Sequence, residues 1–159
     1  MPEKDQRMPP YVEPPRDQIP RISRKHVAAM LASDDPAAWG QGGVRHLVLR
    51  TVGRRTGRRH DVALPYWEDA EDRKHVVASF AGAPDHPAWF LNLSDRASNP
   101  EVWVKEPGTS YWAEAEVLDG EEHDRIWAQL TADRPNYAEY QTRCERRIPL
   151  VRLVRRRPG

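Results

Sequence analysis

The segment His46-Leu-Val-Leu-Arg-Thr-Val52 is extended in character and rich in branched residues, and Arg59 to Trp67 resumes that character with Val62, Leu64 and Tyr66 alternating on one side. Only Gly53-Arg-Arg-Thr-Gly57 separates the two, which is too short for a crossover, so they must pair antiparallel around an arginine-rich tip. A polar turn, Glu68 to Arg73, leads to a third extended run, Lys74 to Ala81, and the sheet is expected to grow as a meander. Glu101 to Lys105 and Thr109 to Leu118 form a further hairpin around Glu106-Pro-Gly108, with Tyr111, Ala113, Ala115 and Val117 on its inner face. Ile148 to Val154 closes the sheet. Helical spacing marks Ile22 to Leu31, Pro87 to Leu93, a helix opening at the capping-box pattern Asp119-Gly-Glu-Glu122, and Asn136 to Arg146. The expected class is α+β, mainly antiparallel β, with short flanking helices. Trp39 is a candidate for a lid.

A chain of 159 residues suits one domain. Six prolines among the first 20 residues oppose regular structure, so residues 1–21 are expected as a flexible arm, 22–154 as the folded unit and 155–159 as a basic tail. The lone cysteine, Cys144, excludes an intrachain disulfide framework and a multi-thiolate metal site, and fits a reducing cytoplasm. No run approaches the roughly 18 apolar residues of a membrane span. Peripheral membrane contact by the N-terminal segment stays open. Basic residues comprise 21 Arg and four Lys, yet 24 acidic residues bring the net charge to +1, which argues against wholesale nucleic-acid binding.

The sequence has no Gly-x-Ser-x-Gly elbow, no His-Glu-x-x-His, no phosphate-binding Walker loop and no dinucleotide fingerprint, and its six histidines lack metal-ligand spacing, so no metal site is expected. The chemistry concentrates between Arg45 and Arg59, where six arginines fall. At the tip, Arg54, Arg55 and Arg58 present guanidinium forks on a backbone that two glycines allow to bend, an arrangement suited to phosphate or carboxylate groups. A solvated turn is the alternative.

Thr51-Val-Gly-Arg-Arg-Thr-Gly57, Leu64-Pro-Tyr66, Ala78-Ser79, Gly82-Ala83, Pro87-Ala-Trp-Phe-Leu-Asn-Leu93, Asn99-Pro100, Tyr137-Ala-Glu-Tyr-Gln141 and Arg147-Ile-Pro149 together resemble the deazaflavin-dependent nitroreductase family over about residues 45–154. The resemblance implies a split β-barrel of the FMN-binding type, with coenzyme F420 in a groove and a small-molecule hydride acceptor that is a nitroaromatic, quinone or enone. It implies that Arg54, Arg55 and Thr56, with the strand to Leu64 and Tyr66, hold the phosphate side and polar parts of the cofactor. Ala78 and Ser79 would border the ring, Ala88 and Trp89 would pack near it, and Asn92 would support that wall. Tyr137, Tyr140 and Ser79 would line the substrate side, with Tyr137 as proton donor or positioning group. Two positions depart from the pattern. Phe80 stands where Lys is common, which removes a phosphate contact that Arg58, Arg59 or His60 could replace. Arg134 stands where Tyr is common. FMN is the alternative cofactor, a non-catalytic carrier the alternative function, and the assembly is a monomer or homodimer.

Overall fold

The computed structural model describes residues 5–9, 12–41 and 43–159. Parts of the expected arm (1–4, 10 and 11) and of the Gly40–Gly43 loop (42) lie outside them. The strands are β1 (Gly40–Gln41), β2 (Val44–Val52), β3 (Arg59–Pro65), β4 (Trp67–Glu68), β5 (Lys74–Val77), β6 (Val102–Glu106), β7 (Thr109–Val117) and β8 (Leu150–Pro158). The helices are α1 (Ile19–Leu31), α2 (Ala88–Ser94), α3 (Gly120–Asp133) and α4 (Pro135–Thr142).

All pairings are antiparallel, in the order β1-β2-β6-β7-β8-β5-β4, with β3 also paired to β2. The end strands β3 and β4 are separated in the chain by Tyr66 alone, so the sheet curls until its two ends are joined covalently. Pro65 ends β3 because it has no N–H to extend the ladder, and Tyr66 N donates instead to Arg45 O at 3.2 Å. The expected meander is corrected here: β5 pairs with β4 and with the distant β8, not with β3.

Inside the curl, Leu47, Leu49, Val76, Val102, Val104, Tyr111, Ala113, Ala115, Val151 and Leu153 form one core, closed by Trp89, Phe90 and Leu93 of α2. A second core lies outside the sheet, where Ile126 and Leu130 of α3 and Tyr137 and Tyr140 of α4 cover Trp67, Val77, Ile148 and Leu150. Under α1, Met30 and Trp39 pack on Val48, so β2 is buried on both faces. Trp39 is 1% exposed and its indole donates to Ser33 O at 2.8 Å; it is a core residue and not a lid. Val117, expected inside, is 42% exposed at the end of β7.

Other boundaries shift for local reasons. Pro20 sits in the first turn of α1, so the helix begins at Ile19 inside the expected arm. Upstream, Gln6 exchanges two hydrogen bonds with the Glu68 backbone, at 2.7 and 2.6 Å. Asp119 precedes α3 but makes no side-chain cap bond; Glu121 and Glu122 complement the helix dipole. The expected basic tail is strand: β8 runs to Pro158 beside β7, with a register shift at Trp112/Ala113. There Asp61, Arg50, Trp103, Trp112 and Arg157 lie opposite one another on successive strands. Arg50 is bidentate to Asp61 and lies 4.3 Å over Trp103, while Arg157 lies 5.2 Å over Trp112 and pairs with Glu101.

The third run ends at Val77, where the chain enters a 3-10 turn, Phe80–Gly82, with left-handed Phe80, Ala81 and Gly82 (φ 43°, 52° and 78°). A Cβ at Gly82 would lie 2.5 Å from Tyr140 O on α4. Gly82→Ala is therefore expected to cost about 2–3 kcal/mol in urea unfolding, and a cost below about 1 kcal/mol would contradict this packing.

Burial holds the imidazoles of His46 and His75 down to about 4, although Asp69 opposes the shift at His75. With folded values below the unfolded 6.5, the unfolded chain takes up protons first as pH falls. Stability is complete above pH 6.5 and declines between pH 6.5 and 4, by on the order of 3 kcal/mol per histidine. Urea midpoints across that window in a His75→Gln background should fall less steeply than in the parent protein.

Candidate functional site

The tip between β2 and β3 is a closed turn: Gly53 N donates to Arg58 O at 2.7 Å and Gly57 N to Gly53 O at 2.9 Å. Thr56 Oγ1 accepts from Arg58 N at 3.2 Å, so this hydroxyl is used to shape the turn. A Cβ at Gly53 would come within 2.6 Å of Thr56 Oγ1 and 2.9 Å of His60 Nε2, which explains the glycine there.

Two asparagines fasten this tip to α2. Asn99, 2% exposed, accepts from Val52 N at 2.7 Å and donates to Val52 O and Asn92 O at 2.8 Å each. Asn92 Oδ1 accepts from Arg54 Nη1 at 2.9 Å and from Arg54 N at 3.3 Å, while its amide donates to Thr51 Oγ1 at 3.3 Å. Arg54 is thus fixed from below. Arg55, Arg58 and Arg59 are exposed and have no acidic partner among the described residues. This contrasts with Arg50, Arg73, Arg143, Arg147, Arg152, Arg156 and Arg157, each of which meets a carboxylate.

Leu64 packs half-buried against the inner core, which also contains Tyr66, Ala78 and Trp89; Ala88 is exposed at the start of α2. Leu64, Tyr66, Ala78 and Trp89 therefore belong to one packed cluster, with Ala88 outside it, and α2 reaches the tip through the Asn92–Arg54 hydrogen bonds. His60 is exposed on the β3 end of the tip. Tyr137 and Tyr140 belong to the outer core, 5% and 6% exposed, with rings edge to face at 5.9 Å. Ser79 lies on the loop between the two cores, since Ala78 packs in the inner one and Val77 and Ala81 in the outer.

That loop is held by arginines, a role that no motif or spacing marks. Arg146 donates to Ala83 O at 2.9 Å, Ala78 O at 3.0 Å and Ser79 O at 2.8 Å, and contacts His86 Nδ1 at 3.0 Å. Arg16 and Arg143 both donate to Ala81 O at 3.3 Å. At the Tyr66 corner, Arg45, Tyr66 and Arg134 line a cavity of about 70 Å³ with Gly43, Val44 and the arm residues Asp5, Gln6 and Arg7. Burial raises the Tyr66 phenol above its usual range, so it stays protonated. A larger cavity of about 290 Å³ opens at the barrel rim beside Lys74, Glu106 and Tyr111, where Glu106 pairs with Lys74 at 3.2 Å and accepts from Tyr111 at 2.8 Å. Among the described residues no group of His, Cys, Asp and Glu could hold a metal ion.

Residues 22–155 match the family described as F420H(2)-dependent quinone reductase. The chain belongs to that family. An F420H(2)-dependent quinone reductase of Mycobacterium tuberculosis is 33% identical over 113 residues, 69% of this chain and 73% of the relative. A solved F420-H2 dependent reductase of the FDR-A type superposes with a TM-score of 0.57 at 32% identity, covering 68% of this chain and 92% of that one. A structure described as a domain-swapped dimer superposes with a TM-score of 0.60 at 29% identity, covering 82% and 95%. The split-barrel architecture expected from the resemblance is the fold of this quinone reductase family member.

Asn99 appeared in the sequence only as part of Asn99-Pro100, with no role assigned. Asn99→Ala removes three buried hydrogen bonds and should lower stability by about 2–3 kcal/mol. Proton–nitrogen NMR spectra of the folded variant should show shifts concentrated at residues 51–58.

Proposed function

We propose that this chain uses the tip and wall to hold reduced coenzyme F420 and passes a hydride to a quinone-like acceptor. The observation that carries the reading is the cluster of three exposed cations, Arg55, Arg58 and Arg59, gathered on one turn with no acidic partner among the described residues. The donor set fits the group: a phosphodiester and an oligoglutamate tail need several fixed positive charges along one line. Arg146 cannot replace the missing Lys at Phe80, because its guanidinium is already bonded to three carbonyls. The charge must come from the tip.

When bound, F420H2 supplies a hydride from C5, and one proton completes reduction of a quinone to the hydroquinone. In this reading Arg54 stays locked by Asn92 while Arg55, Arg58 and Arg59, with His60 beside them, bind the anionic groups. Leu64, Tyr66, Ala78, Ala88 and Trp89 exclude water from the ring side, and the arginine-bound loop fixes Ser79 against it. Tyr137 and Tyr140 line the acceptor side, and the Tyr137 hydroxyl or a water molecule delivers the proton. A neighbouring structure is a domain-swapped dimer, and a monomer or dimer is the assembly we extend to this chain. Among the described residues no helix is long and apolar enough to cross a membrane.

The test is a titration with oxidised F420 and, in parallel, FMN, followed by tryptophan emission and the cofactor spectrum. F420 should bind and FMN should not. Replacing Arg55, Arg58 and Arg59 together by Gln should weaken F420 binding by at least tenfold without moving Tm, since all three are exposed. Unchanged affinity would remove the tip from the cofactor site. Oxidation of F420H2 on adding a naphthoquinone tests the reaction itself.

A further inference from the structure

Arg134 occupies the junction of α3 and α4 and is 3% exposed. Its Nε donates to Gln6 O at 3.1 Å, and its side chain is also hydrogen-bonded to Tyr137. No side-chain carboxylate among the described residues forms an ion pair with it. The adjacent Asp133 carboxylate accepts from Trp67 Nε1 at 2.7 Å. The other deeply buried arginine, Arg152, does have acids, Glu116 and Glu122. Burial is costly and depresses the proton affinity of Arg134, although Tyr137 and the Asp133 charge oppose the shift.

Arg134 also lines the 70 Å³ cavity together with Arg45 and Tyr66, and with Asp5, Gln6 and Arg7 of the arm. The acid on its rim, Asp5, is exposed and paired with Arg7 at 2.9 Å. The Gln6–Glu68 pair holds this part of the arm over the corner. The lining thus presents the guanidinium groups of Arg134, Arg45 and Arg7, the last already paired with Asp5, and the Tyr66 hydroxyl to a small cavity with room for a carboxylate.

We infer that this corner binds the carboxylate of an anionic acceptor, with Arg134 and Arg45 pairing its oxygens and Tyr66 donating a hydrogen bond. The inference rests on the reading that Tyr137 lines the acceptor side. Tyr137 follows Arg134 by three residues and is hydrogen-bonded to its side chain, so an acid held at Arg134 is coupled directly to Tyr137. The preferred substrates are then quinones that bear a carboxylate, and Arg134 is a specificity residue.

Two measurements test this. First, 2-naphthoate and 2-naphthamide are titrated into the protein without F420, followed by ligand-detected NMR. The naphthoate should bind at least tenfold tighter, and Arg134→Gln should abolish the preference. Arg45→Gln, at an exposed position, should reduce it at least threefold and keeps the test decisive if Arg134→Gln fails to fold. Second, kcat/KM with F420H2 is compared for a naphthoquinone carboxylate and its carboxamide, where the acid should be preferred by at least tenfold and the ratio should collapse in the same variants. Equal binding of both naphthalenes, or a preference that survives in both variants, overturns the inference. Selective binding with no selectivity in turnover also overturns it, since the pocket would then hold an anion that is not the acceptor. Failure of every quinone to oxidise F420H2 would instead defeat the parent reading, because the naphthoate titration contains no cofactor.

Discussion

One guanidinium, that of Arg146, holds together the segment on which the site depends. Residues 78–83 must leave β5, turn through three left-handed residues and deliver the chain to α2, and no strand ladder supports them. Arg146 bonds to three of their carbonyls and to His86 at the seam between two cores, and Ser79 O also accepts from Gly82 N at 2.9 Å. Because Arg146 follows α4 in the chain, the same contact ties the outer helical layer to the inner wall. The closely packed Gly82 backbone completes that tie at Tyr140 O.

The second organising element is the covalent join at Tyr66. A sheet whose first and last strands meet through one residue has few free edges, and here the join also brings Arg45, Arg134 and the arm into one corner. On the F420H(2)-dependent quinone reductase fold this chain therefore carries two cationic regions. The one at the hairpin tip is made of exposed guanidinium groups on a turn; the one at the corner is built around a buried guanidinium, that of Arg134. Both use arginine, whose planar fork keeps its charge even where water is scarce.

What could be read from the sequence was local. The β2–β3 hairpin, the inner positions Tyr111, Ala113 and Ala115 of β7 and the α3 stripe all follow from spacing over a few residues, and each is found. The pairing of β5 with β8 was not legible because it joins residues more than seventy apart, and no periodicity encodes a partner. The basic run after Val154 resembles a solvated tail until its partners are known: Arg156 meets Glu114 of β7, while Arg157 meets Glu101, just before β6, and Trp112 of β7. Among the site residues, the arginines of the tip stood out by clustering. Asn99, Arg146 and Arg134 did not, since their roles consist of backbone carbonyls and a cavity contributed by distant segments.

The row Asp61, Arg50, Trp103, Trp112 and Arg157 runs at right angles to the strands it crosses. A sheet slipped by two residues keeps every apolar side chain on its correct face, so burial alone cannot reject it. This row can. Sliding β6 by two toward one end sets Lys105 opposite Arg50, and sliding it either way takes Trp103 from beneath that guanidinium. The outer wall of the barrel therefore acts as an alignment key, which penalises misthreaded pairings that the greasy interior would accept.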